Sequence, residues 1–130
     1  MYQQDWILRQ IEMLARMLSK LLFHKDTTEY PELDAEEYMQ TNLLPQDLLR
    51  LIRQGRLNEA ENLLFERTKP DNIRYFELAI DFYARLNDLN DKQLEQGGFS
   101  REEIDEGLHD FMKMFYIELP EPLEDAESRP

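Results

Sequence analysis

The chain contains no cysteine. Disulfide staples, thiolate nucleophiles and sulfur-ligated metal sites are therefore excluded, and a reducing, cytoplasmic setting is expected. Glycine occurs four times and histidine twice. No glycine-rich phosphate loop is present, and no Ser/His/Asp arrangement has recognisable context. No uninterrupted apolar run approaches the roughly 20 residues that a membrane span needs. The most apolar stretch, at the N-terminus, carries Arg9, Glu12, Arg16 and Lys20 and lacks a small-residue cleavage site, so it does not read as a signal peptide. Basic residues are also scarce, 15 against 28 acidic, for a net charge of −13. Phosphate backbones are repelled by such a surface, which argues against nucleic-acid binding. The imbalance is uneven. Residues 1–25 hold four basic and two acidic side chains, and the remainder holds 11 and 26.

What the chain does have is helical spacing. With 42% apolar residues in 130, one domain is expected, burying roughly 65–70% of its unfolded surface. Residues 3–24 read as one long helix. Ile7, Ile11, Leu14, Leu18, Leu21 and Leu22 form the centre of its apolar face, Trp6, Met13 and Met17 widen one side, and Leu8 and Ala15 widen the other. The arc spans about 220°, against the roughly 100° of an ordinary surface helix. Such a helix needs cover from two directions. Ile7, Ile11, Leu14, Leu18 and Leu21 follow a 4-3-4-3 spacing, so these five are the candidate interaction residues, and an antiparallel homodimer through this helix is the expected assembly.

Residues 25–34 read as an acidic linker containing Pro31, and helical hairpins fill 35–117. Asp34 opens a short helix there, with Glu37 closing a capping box. Pro45 suits the first turn of a helix over 45–54. Gly55 ends it, Asn58 caps the next helix, and Glu61 completes that box. A core helix over 72–87 turns Ile73, Phe76, Ala79, Ile80, Tyr83 and Leu86 inward. Asp91 to Gln96 adds one or two turns. Ser100 and Glu103 form the best capping box, with Phe99 stapled to Ile104, for a helix running to about Ile117. Glu121 to Pro130 reads as an acidic disordered tail, which places a single domain at 1–119 and the tail at 120–130. No segment alternates as a strand. The fold class is all-α, built of antiparallel hairpins, with Trp6, Ile11, Leu14, Leu18, Leu51, Leu64, Phe76, Ile80, Tyr83, Leu108 and Phe111 expected in the core.

Two further patterns bear on function. Gly55-x-Leu57-x-Glu59-Ala60-x3-Leu64 resembles the turn and second helix of a tetratricopeptide repeat. Leu57-Asn58 with Glu61 is echoed 42 residues later by Phe99-Ser100 with Glu103. Glu106 and His109 form a Glu-x-x-His, a spacing that places two metal ligands on one helix face. Di-metal chemistry needs two such motifs and further inward glutamates. One motif alone reads more simply as a solvated acidic face, and no cofactor is expected. His24 follows the first helix, where it complements the dipole.

The opening Tyr2-Gln3-Gln4-Asp5-Trp6-Ile7, followed by Arg9-Gln10-Ile11-Glu12, Leu14 and Leu21-Leu22-Phe23, resembles an uncharacterised family of small Firmicutes proteins, a domain of unknown function. The resemblance implies a bacterial, cytoplasmic, helical protein and carries no site residues. A non-catalytic interaction or scaffold module is the leading expectation, with an unknown protein partner or a second copy. The alternatives are a metal-dependent enzyme using Glu106 and His109, and peripheral membrane attachment through Arg9, Arg16 and Lys20 on the first helix. The acidic body opposes the membrane alternative.

Overall fold

The structure, a computed structural model, describes residues 2–23 and 43–118, with the side chains described from residue 5 onward. The expected linker, the Asp34–Glu37 box, His24 and the acidic tail lie outside the described residues. Six helices and no strand occur among the described residues: α1 (Tyr2–Phe23), α2 (Leu43–Arg53), α3 (Leu57–Arg67), α4 (Ile73–Asp88), α5 (Asp91–Gln96) and α6 (Arg101–Met114).

The core is organised on α4. Phe76, Ala79, Ile80, Tyr83 and Leu86 are fully buried, as their spacing predicts, and Tyr75, Leu78 and Phe82 on adjoining faces are buried too. The reason is that α1 and α6 pack along α4, with α2 against a further side. Even its polar residues go in. Glu77 and Asp81 are buried, and Arg74 and Arg85 reach them at 3.1 and 2.7 Å from the surface. Ile73 was expected inside but is 42% exposed, because it is the first residue of the helix and lies at the bundle's end.

The α2–α3 hairpin forms as Gly55 requires. Gly55 has φ +77°, and the amide of Arg56 donates to the Leu51 carbonyl at 2.9 Å while that of Gly55 donates to Ile52 at 3.0 Å. That pair of bonds is a Schellman closure, with glycine in the left-handed position. The expected Asn58 cap is a correction. α3 begins at Leu57, and its N-cap, Arg56, makes no side-chain cap bond. Asn58 lies inside the helix and donates to the Gly98 carbonyl at 3.2 Å, and Glu61 accepts from the Tyr83 hydroxyl at 2.6 Å. Tertiary partners outcompete the local box. The 42-residue echo therefore breaks at its cap, although Gly98, like Gly55, holds a positive φ.

The second box forms as expected. Ser100 Oγ accepts from the Glu103 amide, and the Glu103 carboxylate accepts from the Ser100 amide. Phe99 and Ile104 are both buried. The helix stops at Met114, before Ile117, because the Ile117 amide donates to Met112 and the Tyr116 amide to Lys113. This Schellman closure puts Tyr116 at φ 57° with its ring 92% exposed.

Arg101, the first residue of α6, is 2% exposed. Its guanidinium donates to the Asn87 carbonyl and side chain at 2.9 Å each, the Leu89 carbonyl at 2.8 Å and Asp91 at 3.1 Å. Asn87 in turn donates to the Leu8 carbonyl at 2.9 Å. One charge thus ties α4, the turn into α5, α6 and, through Asn87, α1. Together with the Phe76–Phe115 ring contact at the far end, these bonds run α6 antiparallel to α4.

Candidate interaction surface

The catalytic candidates do not converge. Glu106 and His109 both lie on the exposed face of α6. His109 Nδ1 is 2.8 Å from the Asp105 carbonyl and 3.5 Å from its carboxylate, contacts within its own helix. No three His, Asp or Glu side chains among the described residues are grouped to hold a metal ion. Aromatic rings meet one another in the core. Phe65 stacks on Phe111 at 4.5 Å, and Tyr83 meets Phe82 and Phe111 edge-on.

The environment of Tyr83 is chemically unusual. Its ring presses on Gly107, where an added Cβ would collide with the phenol oxygen. Only glycine lets α6 approach α4 this closely. Burial, followed by the Glu61 hydrogen bond, pushes the phenol's pKa up. Glu61 is also raised, first by burial and then by Glu103, Asp110 and Glu106 across the seam; the Tyr83 hydrogen bond opposes the shift. The Tyr83–Glu61 bond joins α4 to α3. A cleft of about 330 Å³ between the α2–α3 turn and α5 is lined by Ile52, Leu57 and Leu89 below and Arg53, Gln93 and Gln96 around its mouth. Gln93 is occupied there by its own capping box with Asn90.

The N-terminal helix divides differently from its expected seam. Ile11, Leu14 and Leu18 are buried on the chain's own α4 and α6, Ile7 is half-buried, and Leu21 is exposed. Ala15 and Ser19 join the inner face. At 100° per residue the buried positions from Leu14 round to Ser19 cover about 140° of arc. Trp6, expected in the core, is 61% exposed, and Met13 is 65% exposed. Both project about a third of a turn or more away from Ile11 and Leu18, past the edge of the groove that α4 and α6 form. Trp6, Met13 and Leu21, with half-buried Met17 between, make an apolar stripe about 22 Å long on the solvent side. Gln10 lies on one side of it, and exposed Arg9 and Arg16 on the other. Among the described residues the remaining large exposed apolar side chains, Leu43, Ile73 and Tyr116, each begin or follow a helix and form no comparable row. Sequence reasoning found the excess arc and its Trp6–Met13–Met17 side, but assigned the partner-facing role to the side that the bundle consumes. It missed Arg101, whose only signal is a cation in the first turn of a helix, where acids are favoured.

Fold and surface together define a small all-helical protein with an apolar stripe left open along its first helix. The chain belongs to a family of unknown function, DUF6483, whose model matches residues 1–116 and so spans all six helices. No curated protein and no solved structure matches it. No helix among the described residues is long and apolar enough to cross a membrane.

Proposed function

We propose that the chain is a non-catalytic interaction or scaffold module, a stack of tetratricopeptide-like hairpins that binds protein through the outer stripe of α1. The observation that carries this reading is the exposure of Trp6 and Met13 on a helix whose other face is fully committed to the core. Large apolar residues in a continuous row on a domain of this size mark a binding surface. The reading places the protein in the cytoplasm of a Firmicutes bacterium, supported by the N-terminal resemblance and the lack of cysteine. A photo-crosslinking amino acid at Met13, with an exposed control at Glu95, tests the role in the native cell. Discrete adducts from position 13 and none from position 95 are expected. No adduct from position 13 contradicts the proposal.

A further inference from the structure

We infer that the outer face of α1 docks a single acidic amphipathic helix of a partner protein, a step that rests on the interaction reading above and gives the partner its chemistry.

Charge sets that chemistry. At 100° per residue Met13, Trp6, Met17 and Leu21 lie within about 80° of arc, and Lys20, Arg9 and Arg16 follow as a ridge over about the next 60° on one side. All three cations are exposed. Asp5 and Glu12 stand beyond the ridge, on the side away from the stripe, and the ion pairs of the described residues take in neither Arg9 nor Arg16. On the stripe's other side the surface turns into the bundle, where Leu14 is buried and Ile7 half-buried. The face is apolar with one cationic border. Its complement is apolar with one acidic border.

Extent sets the partner's form. A stripe about 22 Å long and one helix wide falls far short of the roughly 800 Å² per partner that two folded domains bury. It suits the apolar face of one helix of about 15 residues. Arg9, Arg16 and Lys20 are spaced about 10 and 6 Å apart along the axis, intervals that carboxylates seven and four residues apart on a partner helix reproduce. Met13 and Met17 supply flexible thioether chains that mould to such a face.

The rest of the molecule disfavours a broader anionic partner. Outside residues 1–25 the chain carries 26 acidic and 11 basic residues. An anionic bilayer or a large acidic domain faces that charge as well as α1, whereas a lone helix covers α1 alone.

Two tryptophan-free peptides of about 18 residues, added to the full chain, test this. Both carry leucines at helical spacing; one has glutamates along a single flank and the other has lysines there. Fluorescence anisotropy is expected to show saturable binding of the glutamate peptide at about 10–100 μM, with a blue shift of Trp6 emission. Met13→Glu, at a position exposed in the bundle, abolishes it. Arg9→Glu with Arg16→Glu weakens it roughly tenfold and admits the lysine peptide instead. Far-UV circular dichroism is unchanged in both variants. A wild-type chain that does not bind the glutamate peptide, binds the lysine peptide as tightly, or is indifferent to Met13→Glu overturns the inference. So does a Trp6 shift on anionic phosphatidylglycerol vesicles with none on the peptide, or a light-scattering mass of twice 15.7 kDa with Trp6 already shielded before peptide is added. The failures separate. A chain that refuses the glutamate peptide but still crosslinks another polypeptide from position 13 loses the acidic helix and keeps the interaction reading. A chain with no adduct from position 13 loses both.

Discussion

Two helices of this protein, α1 and α4, carry apolar arcs far wider than one contact needs, yet they meet opposite fates. α4 is enclosed, so that even Glu77, Asp81 and Asn87 are taken out of water. α1 is enclosed on one side and leaves Trp6 and Met13 in solvent. Hydrophobicity does not separate them; position in the bundle does. α4 has neighbours on several sides, and α1 lies on the outside of the α4–α6 groove. A wide arc on a central helix is core, whereas the same arc on a peripheral helix leaves a surplus for something else.

The comparison breaks first where α4 is cut. Phe76, with no exposed surface, loses about 3–5 kcal/mol on replacement by alanine, read as a fall in the urea midpoint at unchanged slope. A change below about 1 kcal/mol would mean that α4 is not the centre. The matched substitution on the other helix, Trp6→Ala, is expected to move monomer stability by no more than about 0.5 kcal/mol. If Trp6→Ala costs as much as Phe76→Ala, the two helices are equivalent and the stripe is core.

Arg101→Ala should come next, at about 2–4 kcal/mol. It leaves the Asn87 and Leu89 carbonyls buried without their donor and loosens the Asn87 tether to α1. Hydrogen exchange checks the pathway, since amides of the first half of α1 should lose protection before those of α3. Gly107→Ala forces a Cβ onto Tyr83 and should cost about 1–3 kcal/mol by thermal unfolding.

The smaller effects concern the acidic seam beside α4. Glu61 has its folded pKa raised above the ordinary carboxyl value by burial and by neighbouring acids. The native state then binds this proton more readily than the unfolded state does. The associated stabilisation is present below the unfolded value and is lost as pH rises through the folded one. Wild-type melting temperature should therefore climb as pH is lowered from neutrality toward that window, and Glu61→Gln should flatten the climb. An identical slope in the variant would show that the seam is solvated. Smallest of all, Tyr116→Gly relieves a left-handed tyrosine and should stabilise the chain by up to about 1 kcal/mol.

Much of this architecture is legible in the residues, for physical reasons that also explain the failures. The Ser100–Glu103 box and the Gly55 turn are local, so their signals survive folding intact. Asn58 and Glu61 have the same local pattern, but each finds a partner some 20 to 40 residues away, Gly98 and Tyr83, and no local rule can weigh that competition. The core list from Ile11 to Phe111 is readable by periodicity except for Trp6, whose ring sits at the margin of its arc. Which margin of α1 stays open depends on where α4 and α6 lie, and periodicity in α1 alone is silent on that. Arg101 is readable only once Asn87, Leu89 and Leu8 have been brought to it.

Trp6 offers the most direct test of the central claim, because it is the single tryptophan and stands on the open stripe. Its emission can be followed as the full chain is diluted from tens of micromolar to nanomolar. If α1 leaves its outer face open on a single chain, Trp6 at nanomolar concentration has red-shifted emission and is readily quenched by acrylamide. A tryptophan that is blue-shifted and slowly quenched at nanomolar concentration would contradict the account.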